Sequence, residues 1–212
     1  MKIKKVAWMI VCAVLFLSGC QKVDDKKALE SSEDLAEIQS DIIGEFQSLH
    51  ELENEFQETF EKSLNAKKDL SNLADQKDPV YDNINQRHQI MKNINETAQK
   101  SQESIDILKK YEGKASDATQ AVINHFEFLM EQVAKLQKQY DKHLETQGNY
   151  LVGLSKEDAT HEDLTKGLEK INKEYSKDQE LIKEIDTLLP SLNRDLESLL
   201  SQINQIVNKE DK

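Results

Sequence analysis

The chain has 212 residues, with 28 lysines and arginines against 40 aspartates and glutamates, a formal charge of −12 at pH 7. Such an acidic surface repels nucleic acid and anionic headgroups, so neither is an expected partner. Two cysteines, six glycines and two prolines give no disulfide framework, no cysteine zinc site and few breaks in regular structure, and the wealth of Lys, Glu, Gln, Leu and Asp points to helices.

The amino end is a targeting segment. Met1-Lys2-Ile3-Lys4-Lys5 is positively charged, and residues 6–17 are apolar without interruption, the layout of a secretory signal. A run of about a dozen residues falls short of the roughly 20 needed to cross a hydrocarbon core of about 30 Å. It ends in Leu17-Ser18-Gly19-Cys20, which resembles the bacterial lipobox, where a diacylglyceryl group is joined to the cysteine sulfur and cleavage between Gly19 and Cys20 leaves Cys20 first. Two fatty chains hold stably where one is marginal, at about 0.8 kcal/mol per buried methylene. The sequence thus predicts a signal peptide over 1–19, a palmitate-type modification at Cys20, and a body fixed to membrane lipid on the extracytoplasmic face of the cell membrane. Cys12, Trp8 and three lysines leave with the signal, so the remainder carries a formal −15. That charge argues against electrostatic attraction to anionic wall polymers. With few aromatics left, composition gives no support for a platform on which sugar rings stack.

Residues 20–31 read as the lipidated cysteine and a polar tether, residues 32–208 as a helical bundle domain, and residues 209–212 as a frayed tail. The first helix is expected from Ser31 or Ser32, with Ser31 and Asp34 at cap spacing. Its heptad stripe is Leu35, Ile38, Ile42, Leu49, Leu52, Phe56, Ala66, Leu70 and Leu73, interrupted at Glu45, Thr59 and Ser63. Asp78-Pro79 ends it. The second stripe runs Ile84, Arg87, Met91, Ile94, Ala98, Ser101, Ile105, Leu108 to a stop around Gly113. A third starts at Asp117, with Gln120 at capping-box spacing, and runs Val122, Phe126, Leu129, Val133, Leu136, Tyr140, fading at His143 and Gln147. The heptad phase is continuous across Gly113, so one helix over 79–147 is the alternative; the glycine and the cap signals favour the break.

Residues 148–160 read as the longest irregular stretch. The last helix then holds one register from Leu164 through Ile206, with Asp178 its sole polar member and Pro190 inside it. The unbroken register favours a kink over a stop at Pro190, and Asp178 suits a polar layer paired with a lysine or glutamine from another helix. Helices of about 46, 32, 31 and 48 residues measure about 69, 48, 46 and 72 Å. The expected fold is all-α: an elongated antiparallel up-and-down bundle of four helices with a long outer pair, or three long helices if Gly113 is read through.

No catalytic, cofactor or metal site is expected. The glycines are scattered singly, the five histidines lack the spacing of a zinc peptidase, His125 reads as a seam-edge residue, and carboxylate pairs are too abundant to be specific.

The lipobox ending in Cys20, the segment Gln102-Glu103-Ser104-Ile105-Asp106, and His161-Glu162-Asp163-Leu164 leading to Ile171-Asn172-Lys173-Glu174-Tyr175 resemble the YkyA-like cell-wall-binding lipoprotein family of Gram-positive bacteria over nearly the whole chain. The resemblance implies a non-enzymatic helical bundle outside the membrane and associated with the cell wall, and it carries over no catalytic or ligand residue. Partners would be membrane lipid through Cys20 and a cell-wall component. The alternatives are a helical adaptor or spacer for another envelope protein, using apolar positions on the projecting helices, and an envelope hydrolase, which requires a concave cluster of acids with raised pKa values.

Overall fold

A computed structural model describes residues 23–210. The signal peptide, the lipobox with Cys20, and residues 211–212 lie outside them. Four helices make the body: α1 Asp25–Ala66, α2 Pro79–Leu108, α3 Ser116–Leu154 and α4 His161–Glu210. Each packs on the next and α4 returns to α1, while the diagonal pairs α1/α3 and α2/α4 have no close backbone approach; α1 and α3 touch only through long side chains. The order is that of an up-and-down bundle. Bonds along two of the seams show antiparallel neighbours: Arg87 reaches Gln147 while Lys109 reaches Glu127, and His143 faces Asp178 while His125 faces Asp195. The all-α expectation holds, and the break near Gly113 is real. Among the described residues no helix is long and apolar enough to cross a membrane.

The core follows the heptad stripes. Leu35, Ile42, Met91, Ile94, Phe126, Leu129, Val133, Leu192, Leu199 and Ile203 are fully buried, each contributing about 1.5–3 kcal/mol through removal of apolar surface from water.

Several boundaries differ from the sequence reading. α1 begins at Asp25, so residues 25–31 are its first two turns and not part of a tether. Its cap is Asp24, which accepts the Lys27 N–H at 2.8 Å. Ser31 and Ser32 are buried mid-helix, and Ser32 donates back to the Ala28 carbonyl. At the other end α1 stops at Ala66, about ten residues early. Leu70 takes a positive φ of 55°, which no helix accommodates, and a 3-10 turn over Ser71–Ala74 follows. Leu73 is fully buried from that turn: its apolar character was read correctly and its helix was not. Asp78 caps α2 at the Val80 N–H and also receives the Ser63 hydroxyl and the Asn72 amide. Burial raises its pKa, but these three donors outweigh that and leave the carboxyl below its usual range.

α3 starts on Ala115 with no side-chain cap, leaving Asp117 in the first turn and no capping box. It runs on to Leu154 because the stripe does not fade. His143 and Gln147 are buried, and Leu151 and Leu154 continue the seam. The irregular stretch shrinks to 155–160, closed by a reciprocal cap in which Thr160 and Asp163 bond each other's side chain and N–H. The outer helices, at 42 and 50 residues, are the longer pair as expected, with α3 close behind at 39 and α2 the short member at 30. The turn at 67–78 fills the space above it, packing on α1 and α3. α4 passes through Pro190 without stopping, and Gln39 of α1 donates to the neighbouring Leu189 carbonyl. The expected frayed tail is helical through Glu210.

Candidate functional site

Burial along α1 and α4 is uneven. The α1 stripe is fully buried at Leu35, Ile42 and Leu49 but only partly at Leu52, Phe56 and Phe60. In α4, Ile185 to Ile203 are buried, whereas Leu168 is 39% and Tyr175 42% exposed. Because the helices run antiparallel, these under-covered stretches face each other. Between them opens a cleft of about 410 Å³, within the usual range of about 300–1,000 Å³ for small-ligand sites.

Its wall on the α1 side is aromatic. Phe56 and Phe60, one turn apart, hold their rings parallel to within 1° at 6.0 Å, and Tyr150 of α3 tilts onto Phe60 at 6.3 Å. Tyr150 reaches that position because α4 passes it at Gly167: a methyl group there would run into the Tyr150 ring. Leu168, Ile171 and Tyr175 form the α4 lip. Asn54, Gln57 and Asn172 place neutral amides on the rim.

The floor is polar and buried. Arg87, 2% exposed, donates Nε to Asn83 at 2.8 Å and Nη2 to the Gln147 side-chain oxygen at 2.5 Å, with its guanidinium 4.7 Å over the Phe56 ring. Gln147 donates its amide to His143 Nε2 at 2.9 Å. That bond makes Nε2 the acceptor, so the imidazole proton sits on Nδ1 and donates to Asp178 at 2.5 Å. One donor direction therefore runs from guanidinium to carboxylate through two neutral side chains. On the other side Arg87 lies beside Tyr140, whose hydroxyl donates to Glu53 at 2.8 Å. Burial pushes the Tyr140 phenol well up, and Glu53 adds to the shift against Arg87. The expected polar layer at Asp178 exists, with a histidine as partner in place of a lysine or glutamine.

Glu174 is buried, but Gln139, Lys177 and Lys142 hold its carboxyl down at about 2. The raised carboxyl among the described residues is Glu45, pushed up by burial, and it sits away from the cleft facing Thr97. His125 lies at the α3/α4 edge, 3.0 Å from Asp195, the seam position expected for it.

Composition misjudged the aromatics. Of the ten phenylalanines and tyrosines after residue 19, Phe56, Phe60, Tyr150 and Tyr175 line this one cleft and Tyr140 lies beneath it. The available signal was the four-residue spacing of Phe56 and Phe60.

A family profile named YkyA and described as "Putative cell-wall binding lipoprotein" matches residues 24–210. The chain is 25% identical over 174 residues to a Bacillus subtilis (strain 168) protein named "Uncharacterized lipoprotein YkyA", an alignment covering 78% of this chain and 78% of that relative. No solved structure matches.

Proposed function

The chain belongs to the YkyA family, and on that premise we propose that it is a lipid-anchored, non-enzymatic binding module that holds a helical bundle outside the cytoplasmic membrane and engages a cell-wall component there. The supporting observation is the position of the cleft. α1 opens at Asp25, five positions after Cys20, and that end of the bundle is tied down by the Val23 bridge to Tyr111 and by the Tyr111 hydroxyl on Asp25. From Asp25 to Glu53 is about 42 Å along the helix axis. A diacylglyceryl group on Cys20 would leave the cleft that far out, facing the wall.

The anchor is tested by labelling with radioactive palmitate: the wild type incorporates label, and Cys20→Ser does not. An unlabelled wild type would end the anchor. Wall engagement is tested by sedimentation with purified peptidoglycan at low and high salt. The body is formally −15, so binding should not rest on charge and should survive high salt.

A second reading, an adaptor for another envelope protein, has its observation on the α3/α4 face. Phe128 is 41% exposed there beside a groove floored by Leu188 and Thr187. Crosslinking that captures a protein through Phe128 while the wall fails to sediment the chain would favour it.

A further inference from the structure

We propose that the α1/α4 cleft is a glycan site, which takes neutral amino-sugar rings of the wall polymer and not its peptide or anionic portions; this rests on the wall-binding reading above.

Three observations converge on that class of ligand. The first is shape. Phe56 and Phe60 present parallel rings, and Tyr175 stands across from them on the exposed lip. The C–H face of a pyranose is flat and apolar, and it fills a slot of this kind while its hydroxyls point along the rim.

The second is charge. Arg87 is the one Lys or Arg on the floor, and it is already partnered: Nε on Asn83, and two routes that end on carboxylates, through Gln147 and His143 to Asp178 and beside Tyr140 to Glu53. A carboxylate or phosphate entering the cleft would have to displace Gln147 from Arg87 and then face Glu53, and the acidic body repels it on approach. A cation would meet Arg87. A neutral ligand disturbs neither route.

The third is an unmet donor. The Tyr150 hydroxyl is buried in the wall with no hydrogen-bond partner, and burial pushes its pKa up, so it keeps its proton. Leaving such a group unpaired costs on the order of 1–3 kcal/mol, which a turn of the Tyr150 ring onto a sugar hydroxyl or acetamido oxygen in the cleft would relieve. The rim amides of Asn54 and Asn172 both donate and accept, as hydroxyl and acetamido groups require.

The test is calorimetric titration of the full lipidated chain in detergent with chitotriose, a neutral N-acetylated trisaccharide, in parallel with free stem peptide and with a glycerol-phosphate polymer. Chitotriose should bind and the other two should not. Phe60→Ala and Tyr175→Ala should each weaken chitotriose at least tenfold, and Tyr175→Phe should keep most of the affinity because the ring is the contact. Phe128→Ala, an exposed aromatic outside the cleft, should change nothing. Tyr175 is on the surface, so its loss leaves the fold intact and a null result stays informative. Chitotriose binding that ignores both cleft substitutions overturns the site, as does preference for the peptide or the phosphate polymer. If the wild type sediments with peptidoglycan but does not bind chitotriose, the glycan site is wrong and the wall reading stands. If it binds chitotriose but does not sediment, the site stands and the wall reading falls.

Discussion

Arg87 and Asp178 are both buried charges on helix seams that hydrophobic residues would otherwise occupy. Neither touches the other; Gln147 and His143 carry the interaction between them. Removing one end leaves the other without its counter-charge in a low-dielectric interior, so Arg87→Met should cost about 3–5 kcal/mol in urea unfolding. Adding Asp178→Asn to that variant should recover part of the loss, a coupling that a double-mutant cycle reads directly. Independent losses that simply add would show that the relay transmits nothing. Glu174 gives a pH counterpart. Its folded pKa, about 2, lies below the ordinary 4.5 because of Gln139, Lys177 and Lys142. A depressed carboxyl stabilises the fold fully above 4.5 and loses that contribution as pH falls toward 2. Wild type should therefore exceed Glu174→Gln by about 1–3 kcal/mol at pH 7, as expected for hydrogen bonds to a charge, and the two should converge in acid. The polar members of the stripes were visible in the sequence as interruptions. Their partners were not, because each bond joins helices 35 to 60 residues apart and heptad counting sees one helix at a time.

Among the elements, the stripes fixed which faces are inside, and the errors fell where local geometry overrides periodicity. Leu70 and Leu73 keep the heptad phase past Ala66 although the backbone has left the helix, since a 3-10 turn buries Leu73 just as well. Gly148 and Gly153 suggested a loop, but at the continuing seam of Leu151 and Leu154 burial outweighs the roughly 1 kcal/mol that a helical glycine costs. Glycines therefore divide into two kinds here, and a paired substitution separates them. Gly44 is exposed on α1 with nothing near its missing side chain, so Gly44→Ala should stabilise by about 0.5–1 kcal/mol. Gly167 has the Tyr150 ring against it, so Gly167→Ala should destabilise by about 1–3 kcal/mol through overpacking and push Tyr150 into the cleft. Thermal unfolding of the two variants decides it: equal gains would mean that the ring moves freely and the cleft wall is not fixed.

For the molecule as a whole, antiparallel packing sets which end faces which way once Cys20 is lipidated. The connection at 109–115 lies beside the start of α1, since Tyr111 bonds Asp25, while the connection at 155–160 lies at the opposite end. Asn172, on the cleft rim, stands level with the α1 segment about 42 Å from Asp25, whereas Lys114 should sit close to the lipid. On the proposed anchor, which blocks the Cys20 sulfur and removes Cys12 with the signal, a single new thiol can be labelled without competition. A fluorophore on Lys114→Cys should be quenched strongly by headgroup-labelled lipid in reconstituted vesicles, and one on Asn172→Cys should be quenched little. A bundle lying flat would quench both alike, because its long side would rest on the surface. The formal −15 of the body opposes that posture on anionic lipid, so the contrast between the two sites should grow as anionic lipid is added and shrink as salt screens it.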